Sequence, residues 1–267
     1  MSKFLVIGGS GKMGQAAIKA VREKFGKDAT IIANWFGKPD PDYTVEGATK
    51  TIFGDISDPN CVNQIKAENQ EPFEYMFYAT ALGEVGVPIA EASKESITQS
   101  NRLSFDPIPK LEEQLDIKVI LTYSTFYVIR HQLATYGAMG YSKEAIEKWT
   151  LESGKSKRAC IRAGLFESQS SRGIKLLLRK SAKNPENLKD PLLKSYFVGK
   201  SSKEGIKEFE EGIFSEEKEA YGDCRTNAED LYKSHLTLFE SNNPLFINVC
   251  GKKIWLSKEP QLLKDYF

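Results

Sequence analysis

A chain of 267 residues is long enough for one α/β domain or two smaller ones. Hydrophobic residues at 40% and charged residues at 27% exclude a disordered or fibrous chain. A formal charge of +1, from 37 Lys plus Arg against 36 Asp plus Glu, carries no basic excess for nucleic acid or an anionic membrane, and no apolar run approaches the roughly eighteen residues of a membrane span.

The first apolar run, residues 4–7, is stopped at once by glycine. It is too short for a signal-peptide core and reads as a buried strand, which implies a cytoplasmic protein. Further runs follow at 30–33, 75–79, 118–122 and 159–162, alternating with helix candidates at 14–25, 60–68, 97–114 and 142–152. Apolar strands alternating with helices predict a parallel sheet covered on both faces. With no Pro/Gly-rich linker and no internal repeat, residues 1–267 read as a single domain. The pattern changes over 167–222, which is rich in Lys, Glu and Ser, with amphipathic stretches at 173–183 and 203–214. This segment reads as a substrate-side insertion or lid. A helix candidate at 227–239 and a strand at 245–249 resume the earlier style. Cys61, Cys160, Cys224 and Cys250 lie far apart without a CxxC or a neighbouring histidine, so reduced thiols are expected and no metal site.

Gly8-Gly9-Ser10-Gly11-Lys12-Met13-Gly14 follows the first strand directly and opens a helix. Glycines at 8, 11 and 14 suit a dinucleotide loop. One permits the tight turn, one lets backbone N–H groups approach a pyrophosphate, and one lets helix and strand pack closely. The helix N-terminus then faces the phosphates with its partial positive charge. Two look-alikes fail. Gly199-Lys200-Ser201 ends like a nucleotide-hydrolase loop but has Lys194 where the first glycine belongs, and Lys12 breaks G-x-S-x-G. An acid about twenty residues beyond the glycines would mark NAD through the ribose 2′-hydroxyl. The second strand ends instead on Asn34-Trp35, so NADP(H) is favoured slightly over NAD(H), with Lys12 or Lys38 for the 2′-phosphate and Trp35 beside the adenine.

These features resemble the short-chain dehydrogenase/reductase superfamily, as an atypical member, over most of the chain. Asp55-Ile56 after the third strand resembles its acid–apolar pair against the adenine, and Ala79-Thr80-Ala81 its small-residue segment along the cofactor. Asn101 resembles its structural asparagine, Ser124 its strand-end serine, and Ala163-Gly164 stands where most members have Pro-Gly. The resemblance implies an α/β, Rossmann-type doubly wound parallel sheet of about seven strands, with an insertion after the sixth.

The catalytic segment departs from the commonest Tyr-x-x-x-Lys pattern, because Met139 stands four before Lys143. Tyr136-Gly-Ala-Met-Gly-Tyr-Ser-Lys143 instead resembles the Tyr-x6-Lys motif of enoyl-[acyl-carrier-protein] reductases. That resemblance implies Tyr136 as donor to a thioester oxygen, Lys143 on the nicotinamide ribose and Ser124 as a donor to substrate. Tyr141 is the rival tyrosine, but two residues from Lys143 it points to the other side of a helix. Tyr123, Tyr127 and His131 could also face the pocket, and a surface position is the plainer reading of His131. Lys175, Arg179 and Lys180 resemble the basic helix of those reductases and imply a carrier-protein-bound acyl substrate, or simply a solvated face. Assembly into a homo-oligomer through 97–114 and 142–152 stays open. So do two other functions: a dinucleotide-binding regulator without turnover, and an extended-type epimerase or isomerase.

Overall fold

The computed structural model describes residues 2–40 and 42–266. Alternation along the strands decides the layering. On β1 (Lys3–Ile7), Phe4 and Val6 join one core, Leu5 and Ile7 the other, and all four are fully buried. The first core lies beneath α1 (Lys12–Phe25) and α10 (Ala228–Glu240), which supply Ala17, Ile18, Val21, Leu231 and Leu238. The second lies beneath α2 (Pro59–Ala67), α3 (Lys94–Ser104), α4 (Pro107–Gln114) and α6 (Gly137–Leu151), which supply Ile65, Leu103, Leu111 and Trp149. Each fully buried side chain of this size contributes about 1.5–3 kcal/mol.

Between the layers runs one sheet in the order β3-β2-β1-β4-β5-β6-β7-β8. The strands are β2 (Thr30–Trp35), β3 (Lys50–Phe53), β4 (Phe73–Tyr78), β5 (Ile117–Thr125), β6 (Lys157–Ala163), β7 (Phe246–Cys250) and β8 (Lys253–Ser257). Pairing is parallel through β7, so the expected doubly wound α/β sheet is present. The order reverses beside β1, and the crevice outside the carboxyl ends there is the position for a ligand.

Two details differ from the sequence reading. An eighth strand, antiparallel β8, follows a two-residue turn at Gly251-Lys252, with Gly251 at φ +55. The helix expected over 97–114 is two helices. Pro107 lacks the N–H an interior position needs, so it takes the first position of α4.

The 167–222 segment folds as α7 (Gln169–Ser181), α8 (Pro191–Phe197) and α9 (Ser202–Tyr221). They share a third core, with Leu178, Phe197, Phe209 and Ile213 against Phe126 and Ile129 from the sheet side. Glu217 of α9 anchors this unit beneath the end of β6. One carboxylate oxygen accepts the Leu165 N–H at 2.6 Å, and the other is buried without a partner. Burial pushes the Glu217 carboxyl up from 4.5 to about 7. An acid with a raised folded-state pKa carries no penalty below pH 4.5 and weakens the fold as pH climbs through 4.5 to 7, by up to roughly 3 kcal/mol. Glu217→Gln should therefore raise the melting temperature over wild type at pH 8 and leave it nearly unchanged at pH 4.5. Melts at the two pH values check this, and an equal difference at both contradicts it.

Candidate dinucleotide and substrate cleft

A cleft of about 1150 Å³ opens over the carboxyl ends of the strands, between the glycine loop, α6 and α7. It exceeds the usual range for small-molecule sites and has room for a dinucleotide with a substrate. Of the residues singled out from sequence, it is lined by Gly8, Ser10, Gly11, Lys12, Met13, Trp35, Ala79, Thr80, Ala81, Ser124, Tyr136, Lys143 and Gly164.

At one end the glycine loop is built by steric necessity. Gly8 sits at φ +78, and a Cβ there would meet the Ala79 carbonyl carbon at 2.9 Å. A Cβ on Gly14 would meet the Gly8 oxygen at 2.4 Å, so only glycine lets α1 approach the loop. The first turn of α1 carries no side-chain cap at Gly11 and no acidic residue. Among the described residues the backbone N–H groups of Ser10, Lys12 and Met13 have no acceptor. An uncapped helix start, unpaired amides and a glycine cradle fit the pyrophosphate of a dinucleotide.

Several expected cofactor residues lie beside the cleft rather than in it. Gly9 is packed under Ala33 and Val45. Asn34 directs its amide to the carbonyls of Ile52 and Gly54 at 3.2 and 3.1 Å, and its own carbonyl accepts the Gly8 and Gly9 N–H groups. It shapes the loop from behind, because a buried amide must be paired. Asp55 accepts from the Ser57 N–H and hydroxyl and pairs with Arg102 at 3.3 Å. Burial works against that charge, but these partners outweigh it and hold the Asp55 carboxyl below its ordinary range. Ile56 lines a separate hollow of about 310 Å³ between α2 and α4. Ala163 is buried, with its carbonyl accepting the Thr125 hydroxyl. Lys38 does not reach the cleft, and Trp35 is joined there by exposed Phe36.

At the other end stand Ser124, Tyr136 and Lys143. The segment 84–87 zips onto the start of α6, with the Gly137 N–H donating to the Val87 carbonyl at 2.9 Å. Gly137 is at φ +48, and a Cβ on Gly140 would meet Ile89 at 2.4 Å. Both glycines of the Tyr-Gly-Ala-Met-Gly run are therefore packing requirements. Ser142 donates to Asn101 at 2.7 Å, tying α6 to α3. Tyr136 caps the start of α6, and its hydroxyl has no partner among the described residues. Burial alone pushes that phenol up to about 12, so it stays protonated at neutral pH and has its O–H to donate. Lys143 donates to the Tyr123 carbonyl at 2.9 Å. Burial lowers its pKa to about 8, against the opposing pull of Cys160 and Glu147.

Ser124 differs from expectation. Its hydroxyl donates to Glu147 at 2.6 Å, so its single hydrogen is spent and only acceptor capacity faces the cleft. Glu147 is fully buried and also receives Arg162 at 2.7 and 3.0 Å and the Gln261 N–H at 2.8 Å. Tyr123 lines the cleft, but its hydroxyl is held by His235 at 2.7 Å. His235 Nδ1 donates to the Leu231 carbonyl, leaving Nε2 as the acceptor, and burial lowers that imidazole to about 4. Tyr127 and Tyr141 pack in a side cluster with Ile89 and Leu263, away from the cleft. His131 is neither on the surface nor in the cleft. It is buried between Glu216 at 2.5 Å and the Tyr196 hydroxyl at 2.9 Å. Of the basic cluster, Lys175 is paired with Glu210 at 2.6 Å, while Arg179 and Lys180 are exposed.

Sequence reasoning missed Gln132 and the apolar lining of Leu82, Leu103, Leu165, Phe166 and Ile174. No motif marks these positions. The Glu147–Arg162 pair did leave a signal, since an arginine inside an apolar central strand demands a buried anion.

The fold is that of the short-chain dehydrogenases/reductases. An NAD+-bound xylitol dehydrogenase superposes with a TM-score of 0.65 at 12% identity, over 94% of this chain and 98% of that one. A short-chain dehydrogenase/reductase from Saccharomyces cerevisiae gives 0.61 at 14% identity, over 93% and 96%. A short-chain dehydrogenase from Burkholderia cenocepacia in complex with NADP gives 0.51 at 16% identity, over 63% and 76%. No family model and no curated protein matches the sequence. No helix among the described residues is long and apolar enough to cross a membrane.

Proposed function

We propose that this protein is an NAD(P)H-dependent reductase of conjugated carbonyl compounds, with an enoyl thioester as the type of substrate. The observation that carries the reading is the protonated Tyr136 hydroxyl, without a partner among the described residues, in the same cleft as the glycine loop and Lys143. The loop amides and the start of α1 would hold the pyrophosphate, and Lys143 would hold the nicotinamide ribose. The bound cofactor supplies a hydride. As negative charge builds on the thioester oxygen, Tyr136 meets it with a preorganised hydrogen bond. Its high pKa suits a donor and would not suit a phenolate base.

NADPH is the better-supported cofactor. No acid ends β2, and Lys12 lines the cleft with no ion pair or hydrogen bond among the described residues, whereas Arg22 is fully engaged by the carbonyls of Lys27, Ala29 and Gly47. The acyl group would arrive free or on an acidic carrier steered by Arg179 and Lys180. Four free cysteines suit a reducing compartment such as the cytoplasm.

One observation favours a second reading, a dinucleotide sensor without turnover. Met139 is buried where the commonest motif has its tyrosine, with its sulfur accepting from Ser100 and Ser104, and Ser124 is locked by Glu147. NADPH oxidation followed at 340 nm with crotonyl thioester separates the two. Wild type should turn over. Tyr136→Phe should lose about 10²–10³ in kcat with NADPH affinity unchanged. Binding without turnover in wild type would support the sensor.

A further inference from the structure

We propose that Gln132 is a specificity-determining residue of this cleft, and that its carboxamide selects substrates carrying a second, uncharged amide beside the reacting carbonyl. The inference rests on the reductase reading for the nature of the carbonyl, but not for the binding preference itself.

Gln132 lies on α5 (Arg130–Leu133) and is 4% exposed, yet it lines the cleft. Among the described residues its side-chain amide makes no hydrogen bond within the protein. A buried amide without partners is uncommon. Its two polar atoms are not sealed in, because Glu217 Oε2 is the one side-chain N or O atom among the described residues that is both buried and unpaired. The Gln132 amide therefore reaches open space, and the open space it borders is the cleft.

The turn that carries it is held from outside. The Arg130 and His131 N–H groups donate to Glu216 of α9 at 2.6 and 3.2 Å. His131 is clasped between Glu216 and Tyr196. Burial raises the Glu216 carboxyl, but the His131 and backbone hydrogen bonds outweigh it and hold the carboxyl below its ordinary range. The Gln132 carbonyl accepts the Tyr136 N–H at 2.8 Å, so one turn delivers both the amide and the Tyr136 hydroxyl. The insertion thus preorganises both groups.

The hydroxyls of Ser124 and Thr125 cannot replace it as donors. Ser124 donates to Glu147, and Thr125 donates to the Ala163 carbonyl. The cleft's lining includes the apolar Leu82, Leu103, Met139, Leu165, Phe166 and Ile174 beside the polar Thr80, Glu167, Ser168 and Arg172. A ligand that fills this end removes water from the Gln132 amide. An amide on the ligand repairs both lost hydrogen bonds reciprocally, N–H to carbonyl in each direction, whereas a hydrocarbon leaves them unmade. Sites built this way discriminate strongly against the analogue that lacks the group.

The test uses two crotonyl thioesters that differ only there, the N-acetylcysteamine ester with its amide and the S-pentyl ester without it. Affinities are measured by calorimetry on the protein–NADP+ complex for wild type, Gln132→Met and Gln132→Glu. Wild type should bind the N-acetylcysteamine ester at least tenfold more tightly. Gln132→Met, of similar shape, should reduce that preference to twofold or less, and Gln132→Glu, which cannot donate, should also lose most of it. NADP+ affinity should stay at the wild-type value in both variants, and the melting temperature in Gln132→Met. Equal binding of the two esters by wild type, binding of neither, or a preference that survives in both variants overturns the proposal. Adding NADPH to the same samples reads the reductase separately. A thioester that binds with the Gln132-dependent preference but is not reduced sinks the reductase reading and leaves the role of Gln132 standing.

Discussion

Arg162→Met should lower the free energy of unfolding by about 3–5 kcal/mol, the usual consequence of stranding one member of a buried ion pair. Arg162 is 5% exposed and Glu147 is fully buried, so the remaining carboxylate would have no water to turn to. The loss spreads further. Arg162 also donates to the Glu259 carbonyl at 2.6 Å and stacks over the Phe246 ring at 3.9 Å. Gln261 donates to both Glu147 and the Thr125 carbonyl, and Tyr127 donates to the Gln261 carbonyl. The C-terminal tail is thereby strapped beneath the cleft in part through this pair. A double replacement, Glu147→Leu with Arg162→Met, should lose clearly less than the sum of the two single changes, since two apolar side chains leave no orphan charge. Urea unfolding of the four proteins measures the coupling. Additive losses would show that the pair is not a unit.

Gly14→Ala should weaken dinucleotide binding at least a hundredfold, about 3 kcal/mol. The added Cβ would lie 2.4 Å from the Gly8 oxygen and 2.7 Å from the Gly9 Cα, both backbone atoms that cannot swing aside. Either α1 withdraws or the loop shifts, and in both cases the unpaired amides leave their common focus. Gly26→Ala is the control for a change to glycine alone. Gly26 has open space around a Cβ and lies at the far end of α1, at φ +81, so alanine there costs local stability without touching the cleft. An NADPH affinity at Gly14→Ala equal to that at Gly26→Ala would remove the loop from the site.

What the residues disclosed depends on how local the physics is. Strands buried on both faces show as unbroken apolar runs, so the order of elements was readable from residues 4–7 onward. The glycine loop was readable because its constraints span only Gly8 to Gly14. Asn34 and Asp55 mark the limit. Both stand at the expected strand ends, but their side chains are claimed by neighbours, the Ile52 and Gly54 carbonyls and Ser57 with Arg102, that no spacing rule foretells. Ser124 is the same case, since its partner Glu147 comes from another element. The broken helix was legible in principle from Pro107, and β8 from the Gly251-Lys252 turn followed by the β-prone Ile-Trp-Leu run. Gln132 was not. Its meaning comes from what it lacks in three dimensions, and a pattern of residue types cannot register a missing partner.

The central claim is that this cleft holds a nicotinamide dinucleotide. Titration of the purified wild-type protein with NADPH and with NADH, read by calorimetry, tests it most directly. Saturable one-to-one binding, tighter for NADPH, is the predicted result. Binding of neither would contradict the account of the glycine loop and of the chemistry assigned to Tyr136 and Lys143.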